Sequence, residues 1–551
     1  MSRRSQAGGY VLAGALLGAT SGLGACAAHQ APPPSPVVAV APGALPPRTV
    51  YAPTPPPPRA PVAPVAPAPP DRKTPDAPFR ANAPAPGPEP QFKVPAYRRF
   101  KLKNGLEVML SEFHELPLVD VSLFIRSGGG DNPPELAGLA EMTANMLDEG
   151  TKSRSAIQIA DEIAQLGAGL GTSGSWDASS AVLSTLTKNL DAALAIWADV
   201  ILHPAFAEQE FTRVRDNLLT AIVRRKDSPP VTSALALGRV LYGDKHPFGW
   251  PMTGVEASLK KLTLADLRKF YDNHYRPNNA VVIVAGDITE KELKAKLETA
   301  LKGWQARGVP RRKLAAPPVP SKTKIYLIDK ADAPQSSIRV GLVGIERTNP
   351  DYIPVTVMNL ILGGGFYRLD LNLREGKGWT YGARSTFDSR RSPGPFSAGG
   401  EFVATHTADS VAEILKEVNA IRDTEVTDAE LSRAKDQIIK SFPARFATRA
   451  STAGQLADLA IYGLPDKYLI EYTRKVAAVS KQDVHRVARK YLVPERLAVV
   501  VVGDEKSNRD ALAKLAPVEL RDLEGNALPA APVANDAASA KKGTGASKTE
   551  D

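Results

Sequence analysis

The 551-residue chain holds a single cysteine, Cys26, which excludes an internal disulfide and a multi-thiolate zinc or iron–sulfur site. Histidine is scarce too. The seven are His29, His114, His203, His246, His274, His406 and His485, and no two lie within one helical turn of each other, so no histidine pair can grip a metal from one helix face. The chain also lacks a Gly-x-Ser-x-Gly elbow and a Gly-Lys-Ser/Thr phosphate loop, which removes the serine hydrolases of that kind and the phosphate-loop nucleotidases. Strong charge of one sign is absent: 69 Lys and Arg against 59 Asp and Glu give a net +10 spread over the chain, which describes a solvated surface and gives no reason to expect a nucleic-acid partner. What remains, at 43% hydrophobic, is enough apolar material for two domains with cores held by packing.

Residues 1–26 read as an export signal, with Arg3 and Arg4, an apolar stretch from Tyr10 to Leu17 too short and glycine-rich to cross a bilayer, and small residues before the end. The ending Leu23-Gly24-Ala25-Cys26 resembles the lipobox of bacterial lipoproteins. That resemblance implies lipidation of Cys26, an anchor in the cell envelope and, because Ala27 rather than aspartate follows, the outer membrane facing the periplasm. Residues 27–97 are expected to be a tether: 24 of the 48 prolines fall between 31 and 95, and proline removes backbone donors and favours an extended chain. Residues 518–551, ending in an Ala/Lys/Ser/Gly tract, are expected to be a disordered tail.

Between these ends lies a long internal repeat. His274-Tyr275-Arg276-Pro277-Asn278, the run Ala280 to Ala285 and Gly286-Asp287 recur as Lys490-Tyr491, Pro494, Leu497 to Val502 and Gly503-Asp504, a separation of 217. Glu210-Phe211, Arg213 and Arg215-Asp216 recur as Glu430-Leu431, Arg433 and Lys435-Asp436, a separation of 220. Two agreeing offsets indicate duplication, with one domain over 98–308, a linker over 309–320 and a second domain over 321–517. Val119, Val121, Leu123 and Ile125 alternate as a strand with one buried face, whereas Leu190, Leu194, Trp197 and Ile201, and Val411, Ile414, Leu415, Val418 and Ile421, follow the helical period. Ser155 and Gln158 form a capping box. The expected fold is α+β, a sheet with helices on one side, made twice in tandem.

Gly138-Leu139-Ala140 before an apolar helix, His246-Pro247-Phe248-Gly249, the Tyr-Arg-Pro-Asn-Asn segment and the duplication resemble the insulinase/pitrilysin family of zinc peptidases. In that family His-x-x-Glu-His follows Gly-Leu-Ala, because two histidines four apart share a face and the glutamate between them activates a water. Here the positions read Glu141-Met142-Thr143-Ala144-Asn145, and Ala221 stands where the resemblance places a further glutamate ligand. The resemblance therefore implies no metal held by this chain, with zinc in a partner subunit. Glu141, Asn145 and Asp148 share a helix face and could hold a hard cation or form a solvated polar face.

The second half looks like the family's non-zinc half. Gly363-Gly364-Gly365 resembles its glycine-rich, substrate-binding loop, and Arg374 and Tyr381 match its arginine and tyrosine seven apart. The resemblance gives that pair a catalytic role, hydrogen-bonding bound peptide and the oxyanion of the tetrahedral intermediate. Gly376 and Gly378 are expected to end the helix of Arg374 before a strand starting near Tyr381. The first-half segment Gly167 to Gly174 departs from the family's peptide-pairing strand, which puts pairing there in doubt. Together these features imply the non-zinc subunit of an insulinase-type metallopeptidase heterodimer, inactive alone and binding peptides in trans for a zinc-bearing partner. The alternative is an inactive peptide-binding or envelope scaffold of the same fold.

Overall fold

The structure, a computed structural model, describes residues 92–311 and 313–528. The expected signal peptide, Cys26 and most of the expected tether lie outside the described residues. The first sheet is built from β1 (Arg98–Lys101), β2 (Glu107–Glu112), β3 (Leu118–Ile125), β4 (Gly169–Gly174), β5 (Ser179–Leu186) and β6 (Ala280–Gly286), in the order β1-β2-β6-β3-β5-β4. The second comprises β7 (Lys324–Asp329), β8 (Gln335–Val343), β9 (Thr380–Phe387), β10 (Pro395–Val403), β11 (Ala498–Gly503) and β12 (Val518–Arg521), in the order β12-β7-β11-β8-β10-β9. Five strands of each sheet correspond one to one: β2, β6, β3, β5, β4 with β7, β11, β8, β10, β9. The repeated sequences fall on equivalent elements, β6 and β11 at the centres and the helices Glu208–Lys226 and Asp428–Ser441. The fold is α+β with two such halves.

The central strands explain the arrangement of layers. Alternate residues of β6 serve two cores: Val282 and Val284 join the first half's own core, while Val281, Ile283 and Ala285 pack with Leu456, Ala457 and Ala460 of the second half. Each fully buried valine contributes about 2 kcal/mol. Likewise Val499 and Val501 of β11 face the second half's core, while Val500 and Val502 pack with Leu237 and Leu241 of the first. The halves thus exchange helices. Arg449–Tyr462 of the second half lies on β6 and β3, and Pro229–Tyr242 of the first lies on β8 and β11.

This exchange corrects the expectation of helices on one side only. In β3, not just Val119, Val121, Leu123 and Ile125 but also Asp120, Ser122 and Phe124 are buried. Asp120 accepts a hydrogen bond from Ser184 Oγ at 2.5 Å and lies 3.3 Å from Arg449 Nε of the exchanged helix, so its carboxylate is covered but paired. A second buried carboxylate, Asp177, accepts hydrogen bonds from the Arg391 N–H and the Tyr462 hydroxyl, both at 3.0 Å, and burial raises its pKa. The guanidinium of Arg390 lies over the edge-to-face pair of Trp176 and Phe248 rings, 4.3 and 4.4 Å from their centres.

Two boundaries also differ from expectation. Residues 518–521 are not part of a tail: they form β12, parallel to β7. At the other end, Val94 and Tyr97 pack on the second half's core and the Tyr97 hydroxyl donates to the Asp466 carbonyl at 2.9 Å, so the end of the expected tether, residues 94–97, belongs to the folded part. The capping box is present, with Ser155 N–H donating to Gln158 Oε1 at 2.8 Å and Gln158 N–H to Ser155 Oγ at 3.2 Å.

Candidate functional site

In the first half, the helix Leu139–Asn145 starts at Gly138, whose φ of +98° places it in the left-handed region that glycine tolerates best. The helix lies beside β4, the outermost strand of its sheet. Glu141 turns onto that strand: its Oε2 accepts the Gly174 N–H at 3.0 Å and its Oε1 the Asn145 amide at 3.4 Å. A Cβ on Gly174 would sit 2.5 Å from Glu141 Oε2, so glycine is what lets the carboxylate reach the strand. Asp148 accepts the Thr172 hydroxyl of β4 at 2.9 Å; burial raises its pKa to about 6, partly offset by that hydrogen bond. Burial raises Glu141 as well.

These positions do not fit zinc. Ala144, fully buried, and Ala221, exposed on the helix Glu208–Lys226, offer methyl groups where ligating or basic atoms are needed. Glu141 and Asn145 already hydrogen-bond each other. Among the described residues no group of three or more His, Cys, Asp or Glu side chains is disposed to hold a metal ion.

The second half places its polar groups differently. The helix Tyr352–Gly363 runs into the three glycines, each at a close approach: a Cβ would lie 2.3 Å from Ser385 N at Gly363, 2.1 Å from Leu360 Cδ1 at Gly364 and 2.7 Å from Arg384 Nη1 at Gly365. Phe366 follows with φ +53°, uncommon for a bulky residue, and its ring is exposed. Asp370, 1% exposed, fixes this turn. Its Oδ2 accepts the Phe366 N–H at 3.1 Å and its Oδ1 the Ala383 N–H of β9 at 3.2 Å.

Arg374 stands on the π-helical turn Leu371–Gly376, with Nη1 3.8 Å from Asp370 Oδ2, Nε 3.4 Å from Glu375 Oε1, and the guanidinium 5.5 Å from the Phe366 ring centre. Gly378, at φ +67°, turns the chain, its N–H donating to the Arg374 carbonyl at 3.0 Å, and β9 begins at Thr380. Tyr381 is 91% exposed, and its hydroxyl has no hydrogen-bond partner among the described residues. Arg374 and Tyr381 therefore flank one turn, both open to solvent, without a hydrogen bond to each other.

Tyr381 borders a cavity of about 340 Å³ that also touches Arg339, Arg384 and Glu401. Sequence reasoning missed these residues and Asp370. The Asp370–Arg374 spacing of four was a legible signal. The Tyr381–Arg384 pairing was not, because three steps along a regular strand reverse the face. An extra residue in β9 restores it: three steps from Ala383 to Thr380 lie opposite two steps from Gly400 to Phe402.

Comparison with known proteins identifies the family. Residues 108–236 match the profile of the insulinase family (peptidase family M16), and residues 261–438 that of the peptidase M16 inactive domain. The chain is 24% identical over 407 residues to an uncharacterized zinc protease, YmxG, of Bacillus subtilis (strain 168), covering 74% of this chain and 98% of the relative. It is 24% identical over 410 residues to the non-peptidase homolog YmxG of Helicobacter pylori, covering 73% of this chain and 93% of that protein. The crystal structure of a peptidase M16 inactive domain from Pseudomonas fluorescens superposes with a TM-score of 0.69 at 27% identity, covering 74% of this chain and 98% of that one. With two tandem family domains and the shared architecture, the chain belongs to the insulinase (peptidase M16) family.

Proposed function

We propose that this chain is the non-zinc subunit of an insulinase-type metallopeptidase pair, presenting Arg374 and Tyr381 to a peptide held by a zinc-bearing partner. The observation that carries the reading is the state of Tyr381: 91% exposed, on a clamped edge strand, with a hydroxyl that no described residue uses. A buried or paired phenol would point to packing. An exposed phenol without a protein partner can exchange water for a carbonyl oxygen as that oxygen becomes anionic, and such a donor is worth about 3 kcal/mol in a closed site. Arg374, bonded only loosely at 3.4 and 3.8 Å, supplies a second donor for the peptide backbone. The proposal extends to the address: a lipid on Cys26 would tether the protein to the outer membrane, facing the periplasm, and metabolic labelling with a fatty acid, lost in Cys26→Ser, tests it.

The catalytic role is tested in the reconstituted pair. Tyr381→Phe is expected to lower turnover of an unfolded peptide about 100-fold, as loss of one oxyanion donor does, while gel filtration shows unchanged assembly. Equal turnover of wild-type and Tyr381→Phe pairs removes the catalytic role and leaves the peptide-binding or envelope scaffold.

A further inference from the structure

The cavity beside Tyr381 is floored by the sheet itself. Gly399 of β10 stands opposite both Arg339 of β8 and Arg384 of β9, and residues directly opposite one another project from the same face. The row thus reads arginine, glycine, arginine, with no side chain between the two cations. Glycine is obligatory at its centre, since a Cβ would lie 1.9 Å from the Ile338 carbonyl oxygen. The neighbouring stretch of this face is closed by the helix Pro229–Tyr242, whose Leu237 packs against Gly341.

The charges in the cavity do not balance. Glu401 is already engaged: its Oε1 accepts the Ser337 hydroxyl at 3.0 Å and lies 3.6 Å from Arg339 Nη2. Among the described residues the Arg384 guanidinium has neither a carboxylate nor a hydrogen-bond acceptor. Its Nη1 occupies the space that Gly365 leaves by lacking a side chain. Arginine's planar fork matches a carboxylate, and an open pocket lined by two arginines and one engaged carboxylate is complementary to one further anion.

We propose that this cavity is a carboxylate-recognition subsite for the bound peptide, with Arg384 as the principal contact and Arg339 as its companion across Gly399. The inference rests on the reading of the Arg374–Tyr381 face as a peptide site and adds a substrate class: peptides carrying an acidic side chain, or a free carboxyl terminus, one short step from the residue that meets Tyr381.

Fluorescence anisotropy with the purified full chain tests it, using three labelled, acetylated peptides of one unstructured sequence: internal glutamate with an amidated end, internal glutamine with an amidated end, and internal glutamine with a free carboxyl end. The wild type is expected to bind a carboxylate-bearing peptide about tenfold more tightly than the glutamine amide. Which of the two it prefers identifies the carboxylate's source. Arg384→Gln is expected to abolish the preference, bringing the carboxylate peptides to the affinity of the glutamine amide; Arg384→Glu should turn the preference against both carboxylates. If the wild type binds all three equally, or if Arg384→Gln keeps the preference, the subsite is overturned while the peptide site stands. If none of the three binds, either to the chain alone or to the chain assembled with a zinc-bearing partner, the peptide site and the subsite both fall.

Discussion

The outermost strands of the two sheets, β4 and β9, are held in the same way and used differently. Each is clamped by a carboxylate from the helical segment beside it: Glu141 takes the Gly174 N–H of β4, and Asp370 takes the Ala383 N–H of β9. In the first half the clamping residue follows Gly138-Leu139-Ala140, and its carboxylate oxygens are spent on the Gly174 N–H and the Asn145 amide. In the second half Asp370 is buried beneath the turn, which leaves Arg374, Tyr381 and Arg384 facing outward. The same architectural need, an edge strand that must not drift, closes one site and presents the other.

Removing the clamps should separate the halves by the size of the loss. Asp370→Ala strands two backbone N–H groups and the nearby Arg374, and is expected to cost about 3 kcal/mol in chemical denaturation. A cost below that of the Glu141 substitution would show that the second clamp is not the stronger.

The next effect is one of pH, and it belongs to the first half. Asp148 has its pKa raised to about 6 from 3.8, chiefly by burial, with Glu149 adding to the shift and Arg213 and the Thr172 hydroxyl opposing it. The folded state therefore binds this proton more tightly than the unfolded chain. Its contribution is full below about pH 4 and is lost as the pH rises to about 6. Relative to Asp148→Asn, the wild type should lose about 2 kcal/mol across that interval. Parallel stability profiles for the two proteins would contradict the burial of this carboxyl.

The smallest effect is expected for Glu141→Ala, about 1 kcal/mol, because one N–H of an edge strand loses its acceptor and can be hydrated. A loss of several kcal/mol would mean that Glu141 is a major structural support.

Much of the fold was legible because duplication writes itself twice. The Ala280 to Ala285 and Leu497 to Val502 runs have the length and composition of central strands, and they occupy equivalent places in the two sheets. The helix exchange was not legible. Asp120 and Ser122 look like solvent-facing residues of β3, and only Arg449 and its helix, more than 300 positions away, bury them. Val518-Glu519-Leu520-Arg521 is too short and too charged to announce β12; its partner β7 decides the matter. At the site, the seven-residue spacing of Arg374 and Tyr381 on either side of a glycine turn could be read directly. The extra residue in β9 that turns Arg384 to the side of Tyr381 could not, because a bulge depends on the facing strand.

The central claim is that this chain carries half of a catalytic centre. Its most direct test is to measure tightly bound metal and peptide cleavage for the purified chain alone, then cleavage after addition of a zinc-bearing insulinase-family subunit. The account predicts no stoichiometric zinc and no cleavage by the chain alone, with activity appearing on mixing. One tightly held transition metal per chain, or cleavage without a partner, would contradict it.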